Sequence, residues 1–251
     1  MSTQVERTSS SITSGGKDIV ERVKDLDWER ILRDLDVQGN ARIERLITSA
    51  ECDTLAQLYP KDRIFHSQVL MAQYGFGRGE YKYFSYPLPD MVNDLRTAIY
   101  PHLVPIANRW NSAMGIDILY PEKHADFITR CHNAGQLKPT PLLLQYGPGD
   151  YNCLHQDLYG EHIFPLQVTI LLSETEHDFT GGEFVLTEQR PRMQSRPEVV
   201  PLRQGDALIF AVHHRPVQGT RSSYRVSLRH GVSRIPSGRR HTIGIIFHDA
   251  L

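Results

Sequence analysis

Residues 146–157 read YGPGDYNCLHQD. A proline–glycine turn follows directly on the apolar run PLLLQY (141–146), and the chain then carries His155, Gln156 and Asp157. A chain that turns at Pro-Gly and continues as a strand keeps residues i and i+2 on one face. The imidazole of His155 and the carboxylate of Asp157 therefore point the same way. Two side chains suited to binding a metal then face one point, and a third has to come from elsewhere in the fold. His162, His177, His213, His214, His230, His241 and His248 are the candidates. His230 is preferred, because it ends the strand pattern of residues 223–229 and sits in an Arg-His-Gly turn, with Gly238, Arg239 and Arg240 following.

Working outward, the texture of the chain after about residue 139 is a series of short apolar runs separated by turn signals. PLLLQY, FPLQVTILLS, GEFVLTE, EVVPL, DALIFAV, SYRVSLRHG and HTIGIIFHD predict seven strands, and strands at that spacing suggest a β-sandwich or barrel. Upstream the apolar spacing is helical. Ile19, Val20, Val23 and Leu26, then Trp28, Ile31, Leu32 and Leu35, recur at three- and four-residue intervals. Gln38-Gly39-Asn40 breaks this pattern, residues 41–47 alternate as a short strand, and Thr48 with Glu51 forms a capping box opening a helix over 52–58. A long helix is predicted from Met91 through Trp110. Residues 17–138 thus read as a helical support region and 139–251 as an all-β core carrying the chemistry. Between them, YGFGRGEYKYF (74–84) is a candidate lid, or a hairpin whose aromatics pack on the core. Residues 1–16 hold eight Ser or Thr and no apolar block, which predicts a flexible N-terminal tail.

Composition bounds the partners. The chain has 251 residues, with 28 Lys+Arg against 29 Asp+Glu, so binding nucleic acid by bulk charge is excluded. Between Asp206 and Asp249, however, no acidic residue occurs and seven arginines do: Arg215, Arg221, Arg225, Arg229, Arg234, Arg239 and Arg240. That segment predicts a locally positive face suited to an anionic substrate. Three cysteines without a CxxC pair suggest neither a disulfide framework nor a thiolate zinc site, and point to a reducing, cytoplasmic setting. No run approaches the ~18 apolar residues of a membrane span. The oligomeric state is left open.

Two imidazoles and one carboxylate with the remaining positions open form the facial triad of non-haem Fe(II) oxygenases. Arg240 near such a site calls for an anion, and a dicarboxylate chelating the metal at its other end would provide one. At these residues the chain resembles the 2-oxoglutarate/Fe(II)-dependent dioxygenases. YGPGDYNCLHQD is similar to the Tyr-x-Pro-Gly…Leu-His-Gln-Asp segment of AlkB-type DNA dealkylases. The later half, with Gly181-Gly182-Glu183-Phe184, PLRQGDALIF, and Gly238 and Arg240 eight and ten residues after His230, is similar to prolyl-hydroxylase-type members. Taken whole, the chain resembles a bacterial group of oxygenases associated with oxidative processing of damaged DNA.

The resemblance implies a double-stranded β-helix, or jelly roll, with N-terminal helices buttressing one sheet. It implies Fe(II) held by His155, Asp157 and His230, and 2-oxoglutarate held by Arg240, with Tyr146 and Thr169 lining the cosubstrate. Dioxygen would be the second cosubstrate, succinate and carbon dioxide the products, and hydroxylation of a substrate C–H bond the outcome. Three AlkB positions are altered: Leu144 replaces an asparagine, Tyr159 a carboxylate, and Ile246 the signature arginine. Damaged DNA or RNA is the expected substrate. A hydroxylase of protein side chains and a non-catalytic cupin-like binding protein are the alternatives.

Overall fold

The computed structural model describes residues 17–158, 160–220 and 222–251. The expected tail 1–16, Tyr159 and Arg221 lie outside the described residues. Five helices precede the main β region: α1 (Ile19–Lys24), α2 (Trp28–Gln38), α3 (Ser49–Ala56), α4 (Asp90–Ala113) and α5 (His124–Asn133). The strands are β1 (Asn40–Ile43), β2 (Phe65–Leu70), β3 (Gly77–Arg78), β4 (Glu80–Phe84), β5 (Lys138–Pro139), β6 (Leu142–Tyr146), β7 (Tyr151–His155), β8 (Leu166–Leu171) and β9 (Phe179–Thr180). They continue as β10 (Phe184–Gln189), β11 (Arg196–Val200), β12 (Ala207–Ala211), β13 (His214–Gln218), β14 (Ser223–Val232), β15 (Ser237–Gly238), β16 (Arg240–Ile245) and β17 (Asp249–Ala250).

From β6 onward the chain winds between two facing antiparallel sheets. The major sheet has the order β1-β12-β8-β16-β6-β4-β2, and the minor sheet β11-β10-β14-β7-β3 with β13 beside β14. β6 and β8 lie in the first, β7 and β10 in the second, and β12, β14 and β16 continue the exchange. This winding is the jelly-roll topology expected from the sequence. All seven predicted strands form, EVVPL overlapping β11, and Tyr151–His155 is a further strand of the roll that no apolar run marks.

Side-chain alternation divides the major sheet into two faces. Leu143, Val168, Ile170, Ile209, Ile243 and Ile245 belong to the core that includes Val92, Leu95, Ile99 and Leu103 of α4. The opposite residues, including Tyr146, Leu171, Leu208 and Phe210, belong to a second core shared with Phe184, Leu186 and Val232 of the minor sheet. The helices thus cover one face of the major sheet and leave the other for the cavity. The Thr48 capping box is present, with Thr48 Oγ1 accepting from the Glu51 amide and Glu51 accepting from the Thr48 amide.

The region 17–138 contributes more than helical support. β1 pairs with β12, while β4 lies between β2 and β6, so three of the seven strands of the major sheet come from it. The candidate lid is likewise built into both sheets: β3 pairs with β7, and β4 is paired along both edges. Glycine density drew attention to turns, but the alternation in EYKYF belongs to a strand that is paired on each side.

The last strands are fastened to the helices by a buried ion pair. Arg96 donates to Asp249 Oδ1 at 2.7 Å and also to the carbonyls of Ile246 and His248, each at 2.8 Å. Tyr86 and His132 complete the shell of Asp249. Burial pushes the Asp249 carboxyl up, but the charge and hydrogen bond of Arg96, with the hydrogen bonds of His132 and Tyr86, outweigh it and depress the pKa. Among the described residues no helix is long and apolar enough to cross a membrane.

Removing one partner of such a pair leaves a buried charge without compensation. Asp249→Ala is expected to cost about 3–5 kcal/mol in urea denaturation. Because Asp249 titrates below its ordinary value in the folded state, its stabilisation is complete above pH 3.8 and is lost as pH falls through the depressed value. The variant's deficit relative to the unaltered protein should therefore shrink on acidification.

Candidate metal and cosubstrate site

The two histidines separated by 75 residues of sequence are direct partners across adjacent strands. His155 on β7 stands opposite His230 on β14, with ring centroids 4.2 Å apart. The register then shifts, because the next pair is Val232 with Asn152, three residues from His155 but only two from His230. Residues three apart on a regular strand face opposite ways. The extra residue in β7 is a bulge that turns Asn152 and His155 toward the same cavity. Gly231 permits this close pairing, since a Cβ there would lie 2.6 Å from the Asn152 carbonyl oxygen.

Asp157 closes the group. Its Oδ1 is 3.4 Å from His155 Nε2 and its Oδ2 3.4 Å from His230 Nε2. One ligand atom from each of the three residues lies within 4.8 Å of the others. His155 Nδ1 lies 2.8 Å from the Cys153 carbonyl. A carbonyl only accepts, so Nδ1 carries the proton and Nε2 turns its lone pair on the common point. Lone pairs from two rings and a carboxylate converge on a space that a cation would satisfy.

The electrostatics agree. Burial pushes the Asp157 carboxyl up, but hydrogen bonds and charge from His155 and His230 outweigh this and hold it far below the carboxylate range. Burial lowers His155, whereas Asp157 more than restores it and leaves the pKa raised. Burial and the neighbouring His155 keep His230 lowered despite Asp157. Gln156, between His155 and Asp157, also borders the cavity, and its side-chain amide donates to Ser227 Oγ at 3.0 Å and to the Leu228 carbonyl at 2.7 Å. These bonds tie the residues flanking Asp157 to β14, the strand of His230.

A cavity of about 200 Å³ adjoins the group, and the residues expected to hold the metal and the cosubstrate line it: Tyr146, His155, Asp157, Thr169, His230 and Arg240. Alternate residues of β16, Arg240, Thr242 and Gly244, line one wall. Arg240 is buried, with its Nη1 donating to Thr242 Oγ1 at 3.3 Å and its guanidinium carbon 5.6 Å from the Tyr146 ring centre. Among the described residues no carboxylate forms an ion pair with it, and its Nε has no partner. Burial pulls its pKa down to about 10, an effect that Tyr146 and Glu183 only partly oppose. A buried guanidinium without a counter-charge fits a cavity built for an anion. Gly182, at φ +64°, makes room for it, since a Cβ there would lie 2.9 Å from Arg240 Cδ.

Sequence reasoning missed Asn152, Gln167 and Thr242. Gln167 lines the cavity and leaves its buried Nε2 without a partner. Its signal was available, because Gln167 and Thr169 are i and i+2 on one strand. Asn152 had none, since regular alternation assigns it to the opposite face.

The arginine-rich segment is less uniform than its sequence suggests. Arg215 is buried, pairs with Glu188 and donates to the carbonyls of Asp36 and Val37 at the end of α2. Arg240 is in the cavity. Arg225, Arg229, Arg234 and Arg239 are exposed, and the first two alternate with inward Val226, Leu228 and His230. His213 and His214 pack together, with ring centroids 3.6 Å apart, against a separate cavity.

Comparison with known proteins places this architecture. Residues 79–250 match the family model Oxygenase-NA, described as an oxygenase catalysing oxidative methylation of damaged DNA. The chain belongs to this family. An uncharacterized protein of Mycobacterium tuberculosis, matched in two strains, is 48% identical to this oxygenase over 167 residues, covering 66% of this chain and 72% of the relative. Among solved structures, an oxidoreductase of the 2OG-Fe(II) oxygenase family from Burkholderia pseudomallei matches with a TM-score of 0.54 at 13% identity, covering 90% of this chain and 94% of its own. A Pseudomonas putida prolyl-4-hydroxylase matches with a TM-score of 0.53 at 12% identity, covering 89% and 99% respectively. The double-stranded β-helix is thereby shown, and the family is one of oxygenases; the His155-Asp157-His230 cluster is its candidate metal site in this chain.

The bonds of Gln156 make it a positioning residue for the ligands beside it. Gln156→Ala is expected to weaken Fe(II) affinity about tenfold or more, measured by metal titration of the apoprotein. Affinity in the unaltered protein should itself fall on acidification, since His155 binds a proton more readily than a free imidazole and must release it to the metal.

Proposed function

We propose that the enzyme oxidises damaged nucleic acid, with His155, Asp157 and His230 holding Fe(II) and Arg240 taking the distal carboxylate of 2-oxoglutarate. The observation that carries the cosubstrate assignment is Arg240, a buried cation with no ion-pair partner among the described residues, in the cavity that also holds the triad. Bound together, the metal, 2-oxoglutarate and dioxygen supply the oxidation of a substrate C–H bond to C–OH, with release of succinate and carbon dioxide.

The chain's own residues orient and enclose that chemistry. Arg240, with Thr242 fixing one of its nitrogens, is placed to take a carboxylate through paired hydrogen bonds. Tyr146 supports the guanidinium from the side, and its burial raises the phenol to about 12, so the hydroxyl keeps its proton. Thr169 offers a hydroxyl to the same cavity. Phe184, Phe210 and Val232 form an apolar wall that excludes bulk water.

The substrate assignment draws on the family's association with damaged DNA. On an N-methylated base, oxygen insertion converts N–CH₃ into N–CH₂OH. That hemiaminal then loses formaldehyde and returns N–H to the base. A duplex substrate has to present the base out of its stack. The convergent triad and buried Arg240 argue against a binding protein that has lost catalysis.

Turnover of 2-oxoglutarate to succinate with Fe(II) should fall to background in His155→Ala and in Asp157→Ala. Arg240→Met should raise the KM for 2-oxoglutarate about ten- to a hundredfold, the loss expected for charge-assisted hydrogen bonds. Mass spectrometry after incubation with N-methylated oligonucleotides should show demethylated base and formaldehyde. Hydroxylated peptides from a protein extract, with no change to the oligonucleotides, would replace this substrate assignment by a protein hydroxylase.

A further inference from the structure

The inner cavity does not end at the metal ligands. A second cavity, of about 610 Å³, adjoins it, and both are lined by Tyr83, Asp157 and Ile246. The residues of β16 and its extension set the order. Arg240, Thr242, Gly244 and Ile246 succeed one another on one face, each step advancing about 6.7 Å. Ile246 belongs to both cavities, whereas Arg240 lines the inner one alone. The outer groove therefore begins beside Asp157, where the space leading from Arg240 gives out.

Three features define what the groove can hold. First, Tyr83 on β4 and His66 on β2 present parallel rings, with centres 5.7 Å apart and planes 8° apart. Second, His248 offers a fixed donor. The Phe164 amide donates to His248 Nδ1 at 3.2 Å, which places the ring proton on Nε2. His248 lines the groove, and its Nε2–H makes no hydrogen bond to the described residues. Burial and the charge of Arg96 lower its pKa to about 4, against a smaller opposing effect of Asp157 and Asp249, so the ring is neutral at physiological pH. Third, Lys138 is exposed and belongs to the groove lining.

We propose that the outer groove receives the reacting base of the nucleic-acid substrate, stacked on Tyr83 and His66 and hydrogen-bonded at its edge by His248 Nε2–H, with Lys138 meeting the adjacent phosphate. This inference rests on the substrate reading above and specifies where that substrate is recognised. A flat ring suits an aromatic face, and a ring nitrogen or exocyclic oxygen suits a single donor that cannot also accept. Tyr83, Asp157 and Ile246 border both cavities, so a ring seated in the outer groove lies next to the carboxylate of the triad.

The test uses the full chain and a fluorescein-labelled single-stranded oligothymidylate carrying one 1-methyladenine. Binding is followed by anisotropy, and demethylation by formaldehyde release. Ser67→Trp, which fills the groove from its half-buried wall, should weaken binding and raise KM about tenfold or more, the worth of one stacked base. Lys138→Glu should weaken binding and lower the slope of log affinity against log salt by about one. His248→Phe keeps a ring and removes the donor, and should raise KM more than it lowers kcat. Arg33→Glu, an equal charge reversal on α2, should leave binding unchanged. If His248→Phe does not fold, Ser67→Trp and Lys138→Glu still decide.

An oligonucleotide that is bound and demethylated equally well by Ser67→Trp and Lys138→Glu overturns the groove assignment while the nucleic-acid reading stands. No binding or demethylation by the unaltered enzyme overturns the nucleic-acid reading itself. Hydroxylation of a peptide that Ser67→Trp abolishes would make the groove a peptide site and overturn the proposal for a base.

Discussion

The pairing of β7 with β14 is the constraint on which the site depends. It places His155 opposite His230 and delivers Asp157 from the residues just beyond the strand. Hydrogen bonds of the backbone fix the separation of two rings that no local sequence rule connects. The bulge in the same ladder then adds Asn152 to the face of the histidines. Gln156 makes the third connection by bonding the segment between the ligands to β14. Ligand geometry is thus set mainly by main-chain pairing, which is stiffer than side-chain packing alone.

Division of labour between the two faces of the major sheet follows from the period of a strand. On β16, Arg240, Thr242 and Gly244 line the cavity, while Ile243 and Ile245 pack toward α4. The same six residues build a polar wall and a dry core without compromise between them. Burying Arg240 beside Tyr146 is costly in isolation. The surrounding sheet pairing and the apolar core on its reverse side hold the guanidinium in place, and an incoming dianion would supply the missing counter-charge.

Much of this was legible in the sequence because the relevant signals are local. Gly-Pro-Gly at 147–149 marks the turn between β6 and β7, and the apolar runs after residue 139 each mark a strand. His155 and Asp157 could be paired by spacing alone, whereas His230, expected in a turn after residue 229, lies inside β14, which runs on to Val232 and pairs with β10 and β7. Pairing of distant segments was less accessible. EYKYF falls in the stretch 74–84 read as a lid or a hairpin packing on the core, and Phe76 and Tyr81 do pack there. Nothing in FHSQVL states that it will extend the same sheet, so β2 was hidden inside a helical region. The bulge at β7 defeats alternation and concealed Asn152. Arg215 looked like part of a positive surface because its counter-charge, Glu188, lies on a different strand and its other partners lie at the end of α2.

The clamp formed by Arg96 has a consequence beyond stability. Its guanidinium grips the carbonyls of Ile246 and His248, the two residues that form the passage and the inner wall of the outer groove. Thr140 and His124 bond the same short stretch of main chain. The helical layer therefore sets the shape of the outer groove as well as the thickness of the core. Sequence drift within α4 can therefore reshape the outer groove through the main chain of residues 246–248 while leaving His155, Asp157, His230 and Arg240 unchanged.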